Sequence, residues 1–380
     1  MPFTSLGLSP ALLKAIADEQ FLKPTPIQEQ VIPSIINKKD VLGIAKTGSG
    51  KTASYVLPIL NSLEEDSQTK NRHVNVLVLV PTRELAVQVS EVFQLFSSKL
   101  TSKIKTLAVY GGVAINPQMI ALQNVNILVA TPGRLLELVE SNAVRLSEIN
   151  TLVLDEADKM LNLGFKDEMD RILKLLPVKR QNLLFSATLS DDIQAINQLV
   201  LHNPIVVKIE SESENINLIT QLAYFIDDEK KGPLLRYLIK EKEIKQALVF
   251  TSTTYKADNV ADKLRKNGIT ASAIHGDKKQ KARTESLKKF KSGAIQVLVT
   301  TDLLARGIDI EFLPYVINYE LPRSPKDYIH RIGRTGRADS LGEAISLVSP
   351  EEEHHFKVIQ KKMGKWVDRV NIDNINLKGY

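Results

Sequence analysis

The stretch Thr151–Met160, TLVLDEADKM, sets Asp155, Glu156 and Asp158 directly behind an apolar run. Carboxylates so close repel one another, and the end of a buried strand is a costly place to hold them unless a cation offsets the charge. A second stretch, Val41–Thr52, VLGIAKTGSGKT, supplies the reason for one. Gly48 and Gly50 let backbone N–H groups turn inward onto phosphate oxygens, and the start of the following helix adds its partial positive charge. Lys51 is placed to reach terminal phosphates, and the Thr52 hydroxyl to ligate Mg2+. The one departure from the strict phosphate-loop pattern is Ala45, where glycine is usual. A plain Gly/Ser turn would explain the glycines but leave Lys51-Thr52 at a helix start without a reason. Asp155 is then expected to hold Mg2+ largely through coordinated water, because this ion keeps most of its hydration shell. Glu156 is the candidate base that orients and deprotonates an attacking water.

These groups need a scaffold of parallel strands. Short β-branched runs alternate with helical patterns along the chain. The predicted strands are Val41–Ala45, Asn75–Val80, Thr106–Tyr110, Val125–Ala130, Thr151–Leu154 and Asn182–Phe185, then Gln221–Phe225, Gln246–Phe250, Thr270–Ile274, Ile295–Val299, Tyr315–Tyr319 and Glu343–Leu347. Near-continuous apolar strands separated by helices predict α/β folding, with mostly parallel sheets covered on both faces. The acidic, Ser/Asn-rich stretch KIESESENINLI has no helical face and is read as a linker over 210–217. It divides the chain into domains 1–209 and 218–363, followed by a tail over 364–380. The halves also echo each other in order: NVLVLVPT with QALVFTST, VYGG with AIHG, and NILVATPG with QVLVTTDL. That pattern predicts a duplicated domain, whose ligands bind outside the carboxyl ends of the strands.

A chain of 380 residues, 43% hydrophobic and 25% charged, can bury two ordinary cores. It contains no cysteine, which excludes disulfides and thiolate metal sites. No apolar run reaches the length of a membrane helix and the N-terminus lacks the pattern of a secretion signal, so a cytoplasmic protein without a membrane partner is expected. The net charge of +6 is unevenly placed. Residues 1–216 hold 21 Lys and Arg against 23 Asp and Glu, whereas residues 217–380 hold 29 against 21. A basic second half suits a polyanion, although a solvated lysine-rich face gives the same count.

Together with Phe21–Gln28 (FLKPTPIQ), Pro81–Ala86 (PTRELA), Gly111-Gly112, Thr131–Arg134 (TPGR), Ser186–Thr188 (SAT), Thr301–Asp309 (TDLLARGID) and His330–Arg337 (HRIGRTGR), the loop and the DEAD sequence form one ordered set. The chain closely resembles the DEAD-box ATP-dependent RNA helicases from about Phe3 to Val348, and among them the bacterial RhlE-type proteins. The resemblance implies two tandem RecA-like domains joined by a short linker, and RNA-stimulated hydrolysis of ATP. It implies that Gln28 reads adenine, that Phe21 stacks on the base with Lys23 and Thr25 nearby, and that Thr47, Gly48, Ser49, Gly50, Lys51 and Thr52 cradle the phosphates. Asp309 would meet the ribose. Arg334 and Arg337 would be arginine fingers on the γ-phosphate, completing a catalytic set with Lys51, Asp155 and Glu156. Asp158 would bond Ser186 and Thr188, with His330 close by, and couple nucleotide state to domain closure.

RNA contacts are implied at Thr82, Arg83, Gly112, Thr131 and Arg134, and at Thr300, Arg306 and Gly307, with Gln280 and Arg283 in a further segment near RNA. Hydroxyls, glycine amides and arginines suit phosphate and sugar and hardly read base edges, so binding should be largely independent of sequence. The expected action is local separation of short RNA duplexes, or remodelling of RNA–protein particles, by a monomer that engages single-stranded and duplex RNA and possible protein partners. A clamp that grips without unwinding and a DNA helicase are the alternatives; the Gln28 motif disfavours DNA. His354-His355 reads as a charged helical face, not a metal site.

Overall fold

The computed structural model describes residues 1–45, 48–65, 73–209, 219–302, 313–335, 342–372 and 375–380. Thr47, Arg306, Gly307, Asp309, Arg337 and the linker 210–217 lie outside the described residues. The chain forms two compact units, Met1–Ser211 and Glu212–Tyr380. The first contains strands β1 (Val41–Ile44), β2 (Val76–Leu79), β3 (Thr106–Val109), β4 (Ile127–Ala130), β5 (Thr151–Leu154), β6 (Gln181–Ser186) and β7 (Ile205–Lys208). All neighbours pair in parallel, in the order β3-β4-β2-β5-β6-β1-β7.

The strand composition explains the architecture. Successive side chains of a strand point to opposite faces. Val76, Val78, Val129 and Val153 enter one core beneath the helices Pro26–Ile36, Lys51–Glu65 and Arg83–Ser97. Leu77, Leu79, Leu128, Leu152 and Leu154 enter a second core beneath Pro132–Glu140 and Lys166–Leu175. Strands apolar at every position are thus those with a core on each side.

The second unit contains β8 (Ile219–Phe225), β9 (Ala247–Phe250), β10 (Ala271–Ile274), β11 (Val297–Thr300), β12 (Tyr315–Asn318), β13 (Gly342–Val348) and β14 (Asp368–Val370). Its order is β10-β11-β9-β12-β13-β8-β14, the order of the first sheet repeated strand for strand. The three sequence echoes fall on β2 and β9, β3 and β10, and β4 and β11, which occupy equivalent places. Two strands escape the sequence reading, β7 and β14. Both are edge strands paired on one side only, and only Val207 of β7 enters a core. β14 lies within 364–380, read from sequence as a tail, and extends the sheet beside β8. Among the described residues no helix is long and apolar enough to cross a membrane.

Candidate active site

Parallel pairing puts every strand's carboxyl end on one edge of the sheet, and the strand order sorts the motifs along it. The DEAD sequence, the SAT segment and the phosphate loop follow β5, β6 and β1, which are neighbours. The Gly111-Gly112, TPGR and PTRELA segments follow β3, β4 and β2, the other half of the edge. Nucleotide and RNA candidates of this unit therefore sit side by side.

In the phosphate loop Gly48 and Gly50 adopt φ of 77° and 91°, the left-handed region open to glycine. Lys51 is buried, and its Nζ donates to the Ala45 carbonyl at 2.5 Å. Ser49 Oγ is buried without a hydrogen-bond partner among the described residues. Gln28 joins this loop to the helix Pro26–Ile36: its Oε1 accepts from Thr25 N at 2.9 Å and its Nε2 donates to the Gly50 carbonyl at 3.2 Å. A Cβ on Gly50 would stand 2.6 Å from Gln28 Nε2 and 2.7 Å from Thr25 Oγ1, so only glycine lets the two segments meet. The Phe21 ring is partly exposed and lies edge-on to Phe96 at 5.9 Å, and Lys23 is exposed.

Asp155 is buried at the end of β5. Its Oδ1 accepts from Glu156 N at 2.8 Å and its Oδ2 from the Tyr55 hydroxyl at 2.8 Å. Burial raises the Asp155 pKa against the lowering influence of Lys51 and Tyr55. Glu156 caps the helix Ala157–Asn162 with φ 52° and ψ 46°, a left-handed conformation that costs a non-glycine residue about 1–3 kcal/mol. Its Oε1 accepts from Lys159 at 2.6 Å, while Oε2 is buried without a hydrogen-bond partner among the described residues. Burial raises its pKa as well, opposed by Lys159 and supported by Asp155. Two buried carboxylates and an unsatisfied Oε2 next to a phosphate loop fit Mg2+ and a reacting water. Tyr55 is the residue that sequence reasoning missed. Its only signal was a place one turn after Thr52.

Asp158 and Thr188 meet at 3.5 Å through Oδ2 and Oγ1. Ser186 does not join them as expected. Its hydroxyl donates to the Thr188 carbonyl at 2.8 Å and accepts from Thr188 N at 3.2 Å, closing a local turn. Asp158 Oδ1 is buried without a hydrogen bond among the described residues. His330, in the second unit, is exposed on the helix Pro325–Ile332.

Among the RNA candidates, Gly112 and Arg83 are in intimate contact: a Cβ on Gly112, whose φ is 77°, would stand 2.0 Å from Arg83 Nη1. The Thr82 hydroxyl accepts from Leu85 N at 3.3 Å and caps the helix Arg83–Ser97. Thr131 and Arg134 are buried. Arg134 pairs with Glu137 at 2.8 Å and donates to the Val113 carbonyl at 2.8 Å, so it braces the Gly111-Gly112 loop from within. In the second unit Thr300, Gln280, Arg283 and Arg334 are buried too. The arginine cluster of HRIGRTGR is not a uniform anion patch. Arg331 is buried, chelates Asp302 at 2.5 and 2.8 Å, and donates to Asn318 Oδ1 and the Glu320 carbonyl. His355 Nε2 donates to the Pro322 carbonyl at 2.8 Å, a structural hydrogen bond.

Comparison with known proteins agrees with this layout. Residues 25–196 match the family model described as DEAD/DEAH box helicase, and residues 229–339 match the helicase conserved C-terminal domain. The chain is 40% identical to the ATP-dependent RNA helicase CshA of Listeria monocytogenes over 364 residues, covering 96% of this chain and 69% of the relative. It is likewise 40% identical to the DEAD-box ATP-dependent RNA helicase CshA of Bacillus subtilis, covering 97% and 74%. Among solved structures it resembles Dbp5 of S. cerevisiae bound to RNA and ADP BeF3, with a TM-score of 0.84, 33% identity and coverage of 98% and 96%. A DEAD box protein of Methanococcus jannaschii is 37% identical with a TM-score of 0.55, covering 98% and 99%.

Proposed function

This chain belongs to the DEAD-box family of ATP-dependent RNA helicases, and on that premise we propose how its own residues divide the work. The chain is an ATPase that acts on RNA. Lys51, the amides of Gly48 to Gly50 and the start of the helix Lys51–Glu65 bind the phosphates; binding must draw Lys51 off the Ala45 carbonyl. Gln28 selects adenine with the hydrogen-bonding capacity left beyond Thr25 and Gly50. Thr52 and Asp155 would hold Mg2+, which would supply positive charge to phosphate oxygens. Glu156 takes a proton from the attacking water, and its unsatisfied Oε2 is the atom we assign to that task.

Arg334 and Arg337 stabilise charge on the transferred phosphoryl group, a role worth about 10³–10⁵ in rate. Arg83, Gly112, Thr82 and Thr131, with Thr300, Arg306 and Gly307, hold the RNA backbone, and Asp309 the ribose of ATP. The buried Arg134 and Arg283 act by shaping these surfaces. ATP and one RNA strand bind preferentially to the same conformation, so each tightens the other, and the bound strand leaves its duplex. The protein works as a monomer in the cytoplasm on short duplexes or RNA–protein particles.

The observation that carries this reading is the pairing of a phosphate loop with two buried carboxylates of raised pKa on adjacent parts of one sheet edge. The test is ATP hydrolysis with and without single-stranded RNA, beside separation of a short RNA duplex. Lys51→Ala should abolish both activities. Strand separation that survives in Lys51→Ala, or equal stimulation by DNA, would overturn it.

A further inference from the structure

The helix Lys51–Glu65 carries, one turn beyond Thr52, a tyrosine that lies in none of the motifs. Tyr55 is completely buried. Its ring packs against Phe185, with centroids 5.2 Å apart, and Phe93, 6.3 Å away. Phe185 is itself pressed onto β1 at Gly43, where a Cβ would stand 2.6 Å from a ring carbon. The phenol therefore cannot swing, and its hydroxyl is fixed on Asp155 Oδ2 at 2.8 Å.

A phenol has one hydrogen to give. It goes to the Asp155 carboxylate. Asp155 receives one proton on each oxygen, from Glu156 N and from Tyr55. Each oxygen keeps capacity for one more donor or a metal-bound water. Packing alone does not account for the hydroxyl, since phenylalanine would fill the same space between two phenylalanines.

We propose that Tyr55 is a positioning residue for the Mg2+ site, its hydroxyl holding the Asp155 carboxylate in the orientation that faces the hydrated ion. This rests on the assignment of Thr52 and Asp155 as the groups that hold the cation. Outer partners of this kind orient metal-holding groups, and their loss costs about 10–100-fold in metal affinity.

The test uses the full chain and fluorescent ADP, titrated with and without Mg2+, with thermal unfolding of the nucleotide-free protein alongside. In Tyr55→Phe the affinity for ADP without metal should match the parent. The Mg2+ concentration that gives half of the metal-induced tightening should rise about tenfold. An unchanged Mg2+ midpoint overturns the proposal, whatever happens to thermal stability. So does a Tyr55→Phe chain that loses metal-free ADP binding, because the residue would then serve packing. Asp155→Asn separates the two readings. If it abolishes the Mg2+ response while Tyr55→Phe does not alter it, only the Tyr55 role fails. If Asp155→Asn leaves the response intact, the cation assignment itself is wrong.

Discussion

Arg331 grips Asp302 with two parallel hydrogen bonds, Nε to Oδ1 at 2.5 Å and Nη2 to Oδ2 at 2.8 Å, and its guanidinium lies 4.8 Å from the centre of the Phe250 ring. The helix that ends at Ile332 is thereby tied to the end of β11. Further bonds to Asn318 and Glu320 leave a buried guanidinium almost fully satisfied. Arg331→Leu strands the carboxylate and two other acceptors. Removing one partner of a buried pair costs about 3–5 kcal/mol, and the lower end applies here because Asp302 is 30% exposed. Chemical denaturation of the full chain should show a loss of about 3 kcal/mol. Arg331→Lys should recover little of it, since an ammonium cannot span four acceptors in a planar fork.

Glu156→Gln keeps the size of the side chain and removes its basicity. Turnover of ATP in the presence of RNA should fall by about 10²–10⁴. Binding does not need the base, so RNA should still be held tightly when ATP is present. Steady-state hydrolysis and fluorescence anisotropy of a labelled RNA check the two halves, and a variant that hydrolyses normally removes Glu156 from its role.

The strand pattern, the duplication and the phosphate loop were legible because each is local: near-continuous apolar runs, glycines and Lys51-Thr52 declare themselves within a few positions. What stayed hidden depends on direction and on partners far along the chain. Arg134, Arg283 and Arg331 look like anion ligands by residue type, yet each is buried, and Asp302 becomes the partner of Arg331 only through the order of β11 and β12. Tyr55 sits in a helix full of core residues, where a tyrosine reads as packing. β14 is only three residues, two of them charged, and β7, although apolar at Ile205, Val206 and Val207, is an edge strand buried at one position only.

Burial holds the Asp155 carboxyl above the usual carboxylate range, even beside Lys51 and Tyr55. A group that binds its proton more tightly when folded adds stability below its unfolded pKa, about 4, and loses it as pH rises through the raised native value. At neutral pH the ionised carboxylate therefore weakens the nucleotide-free protein. Asp155→Asn should raise the denaturant midpoint of that state at pH 7.5, with the advantage shrinking as the pH falls toward about 4. A midpoint difference that does not change with pH would mean that the carboxylate is not strained by its burial.

Gly112 and Arg83 give the means to separate RNA binding from nucleotide binding. A methyl group at 112 meets the guanidinium at van der Waals-forbidden distance, and φ of 77° adds about 1–2 kcal/mol of backbone strain. The flexible arginine yields more easily than the backbone, so Gly112→Ala should displace Arg83 from its resting place while the phosphate loop, on the other half of the sheet edge, stays as it is. Affinity for single-stranded RNA in the presence of ATP should weaken by about tenfold, the equivalent of one lost phosphate contact of about 1.4 kcal/mol. Binding of ATP without RNA should be unchanged, as measured by titration with a fluorescent nucleotide. Loss of both affinities together would show that the two halves of the edge are not independent.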